Sequence, residues 1–201
     1  MRERGFTLLE LLIALSIVGA LLAIVLGGLR VGLAAWRQGE DRAEAHQHLR
    51  TLAELLSHSV AGTFPYRMAR EPGGTPAIQF YGDEQRLAFV TLAPPFPFGA
   101  PIAFTAVVIA HQSGDRPGLT VREKVLPNLD PFEVATPVLA DPAVTQMSFR
   151  YLKPGGGWED RWDGAREGGL PQAIEIRLTT EINGRVEPFP PITVPLRVRQ
   201  K

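Results

Sequence analysis

Cysteine is absent from all 201 residues. That excludes a disulfide framework, a thiol nucleophile and any zinc site built on cysteine. It leaves the compartment open, because an exported protein need not use disulfides. Net charge is lacking too: 21 Lys and Arg balance 21 Asp and Glu. A neutral chain has no broad electrostatic reason to bind nucleic acid. Nucleotide and catalytic signatures are missing as well. The chain has no G-x-x-x-x-G-K-[ST], G-x-G-x-x-G, G-x-S-x-G or H-E-x-x-H, and His46, His48, His58 and His111 fall into no motif. Neither an enzyme nor a cofactor is expected.

Proline is missing from the first 64 residues, although the chain holds 18. A proline costs about 3 kcal/mol in a helix interior, so its absence permits one long N-terminal helix. Its later abundance argues for strands, turns and loops. The compositional boundary falls near Gly62, just before Pro65. Hydrophobic residues make up 45% and charged residues 21%, which is the composition of a folded chain.

Charge is also absent from the 19 residues 11–29, LLIALSIVGALLAIVLGGL. As a helix they span roughly 28 Å, close to the ~30 Å hydrocarbon core of a bilayer. A buried core helix would show a polar face, and this segment has none. A cleaved signal peptide would end near Gly32, Leu33 and Ala34, but its apolar region would exceed the usual ~7–15 residues. A membrane-spanning helix is the expectation. Arg2 and Arg4 precede it, which favours a cytoplasmic N-terminus.

The helical pattern continues beyond the membrane. Arg37, Gln38, Glu40, Asp41 and Arg42 form a polar collar, and then Ala45, Leu49, Leu52, Ala53, Leu56 and Val60 recur at helical spacing. Arg50 and Glu54 stand at i,i+4. The apolar stripe needs a cover, and the β-rich remainder supplies it. Residues 102–111 and 119–126 predict a hairpin around the turn chemistry of 113–118. Met147, Phe149 and Tyr151 alternate with polar neighbours, as do Ile174, Ile176 and Leu178, so both runs predict half-buried antiparallel strands. Asn183-Gly184 predicts a tight hairpin. Ile192, Val194, Leu196 and Val198 predict a last strand, placed at a sheet edge by Pro195. Residues 92–102 and 153–171 read as long loops. The fold class is therefore α+β: a long N-terminal helix, half transmembrane and half amphipathic, packed on an antiparallel sheet.

The sharpest signal lies at the start. Gly5 and Phe6 sit between a basic leader and the apolar run, and Glu10 places a carboxylate inside that run. Such a group is costly at membrane depth and is usually functional, although near a helix end it can snorkel to the headgroups. GFTLLE followed by about 20 apolar residues resembles the class III signal of type IV pilins and type II secretion pseudopilins. The resemblance implies cleavage by a prepilin peptidase between Gly5 and Phe6, with N-methylation of Phe6. It further implies that Glu10 pairs with the N-terminal amine of a neighbouring subunit during assembly. The boundaries that follow are a leader over 1–5, a transmembrane and assembly helix over 6–29, an amphipathic helix over 30–62 and a β-rich periplasmic domain over 63–201.

A second resemblance lies in the C-terminal half. A strand through Phe149, Arg150 and Tyr151, then Trp158 and Trp162, then LPQAIEI from Leu170, is similar to the pattern of minor pseudopilin J. Glu10 argues against the K type, which typically lacks it. The resemblance implies a structural subunit at the tip of a type II secretion pseudopilus, anchored once in the inner membrane. Its implied partners are the other minor pseudopilins, of I and K type, the major pseudopilin and the prepilin peptidase. The alternative is a minor pilin of a type IV pilus or competence system. Trp158 and Trp162 have two readings, as props that hold a long loop against the sheet or as a partner surface. Glu159, Asp160, Asp163 and Glu167 lack the spacing of a calcium loop, so no metal is expected.

Overall fold

The computed structural model describes residues 8–69, 74–96, 103–112, 117–182 and 184–196, with side chains except at 38, 40–45, 182 and 185. It divides into two compact units, Met1–Gln47 and His48–Lys201. Helix α1 covers Leu8–Ala61, so it contributes to both.

In the first unit, Leu8–Arg37 is long and apolar enough to cross a membrane, and none of it is buried within the protein. Leucine and alanine make it a strong helix former, but its side chains have nothing of their own to pack on.

In the second unit, α1 presents the expected stripe from Leu49 on: Leu49, Leu52, Ala53, Leu56 and Val60 are all buried, while the side chain of Ala45 lies outside the described ones. Full burial of each larger side chain is worth about 1.5–3 kcal/mol. The helix ends as the Gly62 N–H donates to the His58 carbonyl and the Thr63 hydroxyl donates to that of Val60 at 2.6 Å. Position 62 has no room for a side chain, since a Cβ there would lie 2.7 Å from Thr91 Oγ1.

The strands of this unit are β1 (Arg67–Met68), β2 (Ala77–Ile78), β3 (Phe80–Gly82), β4 (Arg86–Thr91), β5 (Thr105–Gln112), β6 (Gly118–Val125) and β7 (Thr136–Asp141). They continue with β8 (Val144–Leu152), β9 (Trp158–Glu159), β10 (Trp162–Asp163), β11 (Ala173–Ile182), β12 (Arg185–Pro188) and β13 (Ile192–Pro195). One antiparallel sheet has the order β10-β3-β4-β5-β6-β7. A second has the order β12-β11-β8-β9, with β13 also on β11, and β1 and β2 form a small separate pair. The expected architecture, a helix on antiparallel sheets, is the one observed.

Sequence alternation becomes burial alternation. Met147, Phe149 and Tyr151 of β8 and Ile174, Ile176 and Leu178 of β11 are buried, and Ile176 lies opposite Phe149. Strand β13 pairs β11 alone, with Val194 opposite Ile174, which is the edge position expected from Pro195. Strands β11 and β12 close a hairpin at Gly184, whose φ is 73°; Asn183 lies outside the described residues. One core joins α1 to both sheets. A smaller cluster brings Ala88 of β4 and Val108 of β5 together with Ala135 and Phe132 from the segment ahead of β7. There the Arg122 Nε–H donates to the Ala135 carbonyl at 2.9 Å.

One expectation needs correction. Residues 153–171 are not a plain long loop, for they contain β9, β10 and the one-turn helix α2 (Gly164–Glu167). Strand β9 belongs to one sheet and β10 to the other, so the segment staples the two together. Two-residue strands are too short to show a period of two, which is why alternation did not reveal them.

Candidate functional site

Two regions bear on function: the exposed half of α1 and the segment carrying the two tryptophans.

Gly5 and Phe6 lie outside the described residues. Glu10 stands in the first turn of α1, on its exposed surface. A carboxylate there is favoured by the positive end of the helix dipole, an effect of about 0.3–1 kcal/mol. From Leu8 to Leu33 the large apolar side chains of this unit are exposed by half or more. A soluble protein does not leave so much contiguous apolar surface bare. The arrangement suits lipid, or the equivalent helices of other subunits.

The tryptophans part company. Trp162 is only 3% exposed, and its indole N–H donates to the Gly169 carbonyl at 3.0 Å. It belongs to the core and holds the 164–170 segment down. A buried indole with a satisfied N–H offers nothing to a partner, so the reading of Trp162 as partner surface is corrected. Trp158 is half-buried and lines an open groove of about 770 Å³ with Asp83, Glu84, Gln85, Glu159, Asp160 and Arg161.

Three of the four carboxylates of this segment already have structural work. Glu159 pairs with Lys153, and that carboxylate holds the lysine pKa above its ordinary value through a side-chain hydrogen bond. Asp160 meets Arg150 at 3.2 Å. Asp163 caps α2, accepting from the Ala165 and Arg166 N–H groups. Among the described residues no group of three His, Asp or Glu side chains is placed to hold a metal.

The junction of the two sheets lies beside the groove. The Phe149 N–H donates to the Glu84 carbonyl at 2.9 Å, and the Tyr151 hydroxyl donates to the Asp83 carbonyl at 3.0 Å. Burial, with the Asp83 charge adding to it, pushes the Tyr151 phenol up. The phenol therefore stays a donor. A Cβ on Gly82 would lie 2.1 Å from the Tyr151 oxygen, so glycine alone lets β3 and β8 approach this closely.

Sequence reasoning missed two buried carboxylates. Glu123 is 7% exposed and accepts from the Phe96 N–H at 3.0 Å, and desolvation raises its pKa in spite of that bond. Its signal was available: it follows Leu119 and Val121 at a spacing of two, in the buried phase of β6. Asp141 is also 7% exposed; it accepts from the Ala143 N–H and meets His48 Nε2 at 2.6 Å. The Asp141-Pro142 pair was a turn signal, but the partner 93 residues away is invisible to any local pattern.

Comparison with known proteins agrees with this architecture. Residues 1–26 match the prokaryotic N-terminal methylation motif. The type II secretion system protein J of Xanthomonas campestris pv. campestris is 27% identical over 205 residues, covering 97% of this chain and 93% of that protein. Residues 27–189 match the family described as type II secretion system (T2SS), protein J. This chain belongs to that family and is a minor pseudopilin of the type II secretion system.

Proposed function

We propose that this subunit works near the tip of the pseudopilus, where it contacts other minor pseudopilins and supports the export of folded proteins. The reading rests above all on one observation: a 30-residue apolar helix, Leu8–Arg37, with none of it buried in its own chain. Such a surface anchors the chain in the inner membrane before assembly and packs against neighbouring helices afterwards. The N-terminus is cytoplasmic and the domain periplasmic, in keeping with Arg2 and Arg4 ahead of the span. The role is structural rather than enzymatic, and energy for assembly comes from other components.

Processing occurs between Gly5 and Phe6, and Phe6 is then methylated. The cut precedes the apolar segment, so the segment stays. Glu10 is the fifth residue of the processed chain, and four helical residues span only about 6 Å, so its carboxylate is within reach of an amine on an adjacent subunit. Carboxylate and amine attract far more strongly at low dielectric than in water, which fixes the stagger between helices. Trp158, with the groove it lines, is the residue on the domain best suited to a partner.

The test is Glu10→Leu in a strain lacking the native protein. The variant should be cleaved and inserted as usual, yet fail to join the assembly or to support secretion. A variant that is processed, incorporated and fully active would show that Glu10 has no assembly role here. Loss of cleavage would instead move Glu10 into processing.

A further inference from the structure

Residues 11–36 are apolar or small with one charged exception, Arg30. Six residues without charge follow it, ending in Trp36, and then comes Arg37. All of these side chains are exposed on α1. Arg30 and Arg37 are seven positions apart, so on a helix they share one face to within about 20° and stand about 10.5 Å apart along the axis. Trp36 projects about 100–120° round the helix from them, on the flank of that face. Among the described residues neither guanidinium has an ion-pair partner.

The spacing matches one layer of a bilayer. With the hydrocarbon core filled by residues 11–29, Arg30 falls at its edge. Headgroup layers add roughly 5–8 Å on each side of the core, so the Trp36 and Arg37 backbones, about 9 and 10.5 Å beyond Arg30, stand just outside that layer. Helix side chains tilt toward the N-terminus, which returns the indole and the Arg37 guanidinium toward it, and tryptophan is favoured there. Two guanidiniums on one face, one at the inner border of the headgroup layer and one reaching in from just outside it, bracket the plane of the phosphates. Arginine forms bidentate bonds to phosphate in a planar fork. Its aliphatic stem can lie along the apolar helix while the charge reaches the headgroups.

We infer that Arg30 and Arg37 form a headgroup-binding face that selects anionic phospholipid, and so sets the depth at which the subunit waits in the membrane. The inference rests on the reading of Leu8–Arg37 as a membrane span. The occupant is lipid rather than a protein carboxylate, because the face adjoins the apolar span directly and Arg30 has no acidic residue within nine positions on either side; Glu40 and Asp41 stand only beyond Arg37.

The experiment uses the full chain, extracted in a mild detergent and offered equal amounts of phosphatidylglycerol and phosphatidylcholine. Native mass spectrometry counts the bound lipids. The wild type should carry phosphatidylglycerol in preference by about fivefold or more, on the scale expected for each cation near a lipid surface. Arg30→Gln/Arg37→Gln should bring the ratio close to one, and Arg30→Lys/Arg37→Lys should keep part of it. Arg50→Gln, on the second unit, should change nothing. Equal binding of the two lipids by the wild type, or an unchanged preference in the double glutamine variant, overturns the inference. Carbonate extraction of membranes separates this from the parent reading. A chain released by carbonate is not a spanning protein, and both readings then fall. A chain retained but without lipid preference defeats the lipid face alone.

Discussion

The two halves of helix α1 have similar leucines and opposite fates. Leu22 is 55% exposed, whereas Leu56 is 0% exposed. The residue type is the same; what differs is the pattern around it. Near Leu22 apolar residues run all the way round, which leaves no side for water. Near Leu56 they keep to one stripe, with Arg50 and Glu54 on the outside. A stripe can be satisfied by one's own sheets, but an all-round apolar surface needs lipid or other subunits. The comparison shows how one helix serves both as anchor and as spine of a domain.

The largest effect should come from the buried half. Leu56→Ala should cost about 2–5 kcal/mol, read as a fall in the thermal midpoint of the full chain in detergent. Leu22→Ala should leave that midpoint where it was. Equal losses at both positions would erase the distinction between the halves.

Within the domain, Gly82→Ala should come next. The new methyl would lie 2.1 Å from the Tyr151 oxygen and 2.3 and 2.7 Å from its ring carbons Cζ and Cε1, and forcing atoms into a packed core costs about 1–3 kcal/mol. In a Tyr151→Leu background, which lacks all three atoms, Gly82→Ala should cost less than it does in the wild type. If it costs as much in both backgrounds, the contact between the two sheets is not the cause.

Glu123 gives a smaller effect that depends on pH. Its folded pKa is raised by desolvation, so the folded state holds its proton up to a higher pH than the unfolded state does. Stability from this group is therefore fullest below the ordinary glutamate range, and falls as pH rises from that range through the raised folded value. At pH 7 Glu123→Gln should stabilise the domain, because the amide oxygen can still accept from Phe96 while no charge is buried. The gain should vanish near pH 4. A variant less stable than wild type at pH 7 would mean that the carboxylate is better solvated than its burial indicates.

The smallest effect belongs to Arg50→Ala. The pair with Glu54 is 3.1 Å long, but its side chains are 78% and 71% exposed. Exposed pairs at i,i+4 are worth about 0.3–0.5 kcal/mol, so the thermal midpoint should hardly move.

What was legible in the chain follows the same division. The apolar run, the amphipathic stripe and the alternation in β8 and β11 are local periodicities, and each became the expected element. The N-terminal signal was legible as a contiguous motif. The segment over 153–171 was not, because β9 and β10 are held by pairing to separate sheets rather than by any pattern of their own. Trp162 could not be told from Trp158 by sequence, since both stand among charged residues. What separates them is their strands: Trp162 on β10 turns into the core, whereas Trp158 stands half-buried on β9 of the other sheet. The partnership of His48 with Asp141, and that of Tyr151 with the Asp83 carbonyl, join residues far apart in the chain. Only the assembled sheets bring them together.

The central claim is that the exposed half of α1 is kept for assembly because the chain is cut ahead of it. The intact mass of the protein extracted from the membranes of its own cells tests this most directly. The account predicts a chain that begins at Phe6, with one methyl group on its N-terminus. A chain that begins after Ala34, with the apolar helix removed, would contradict it.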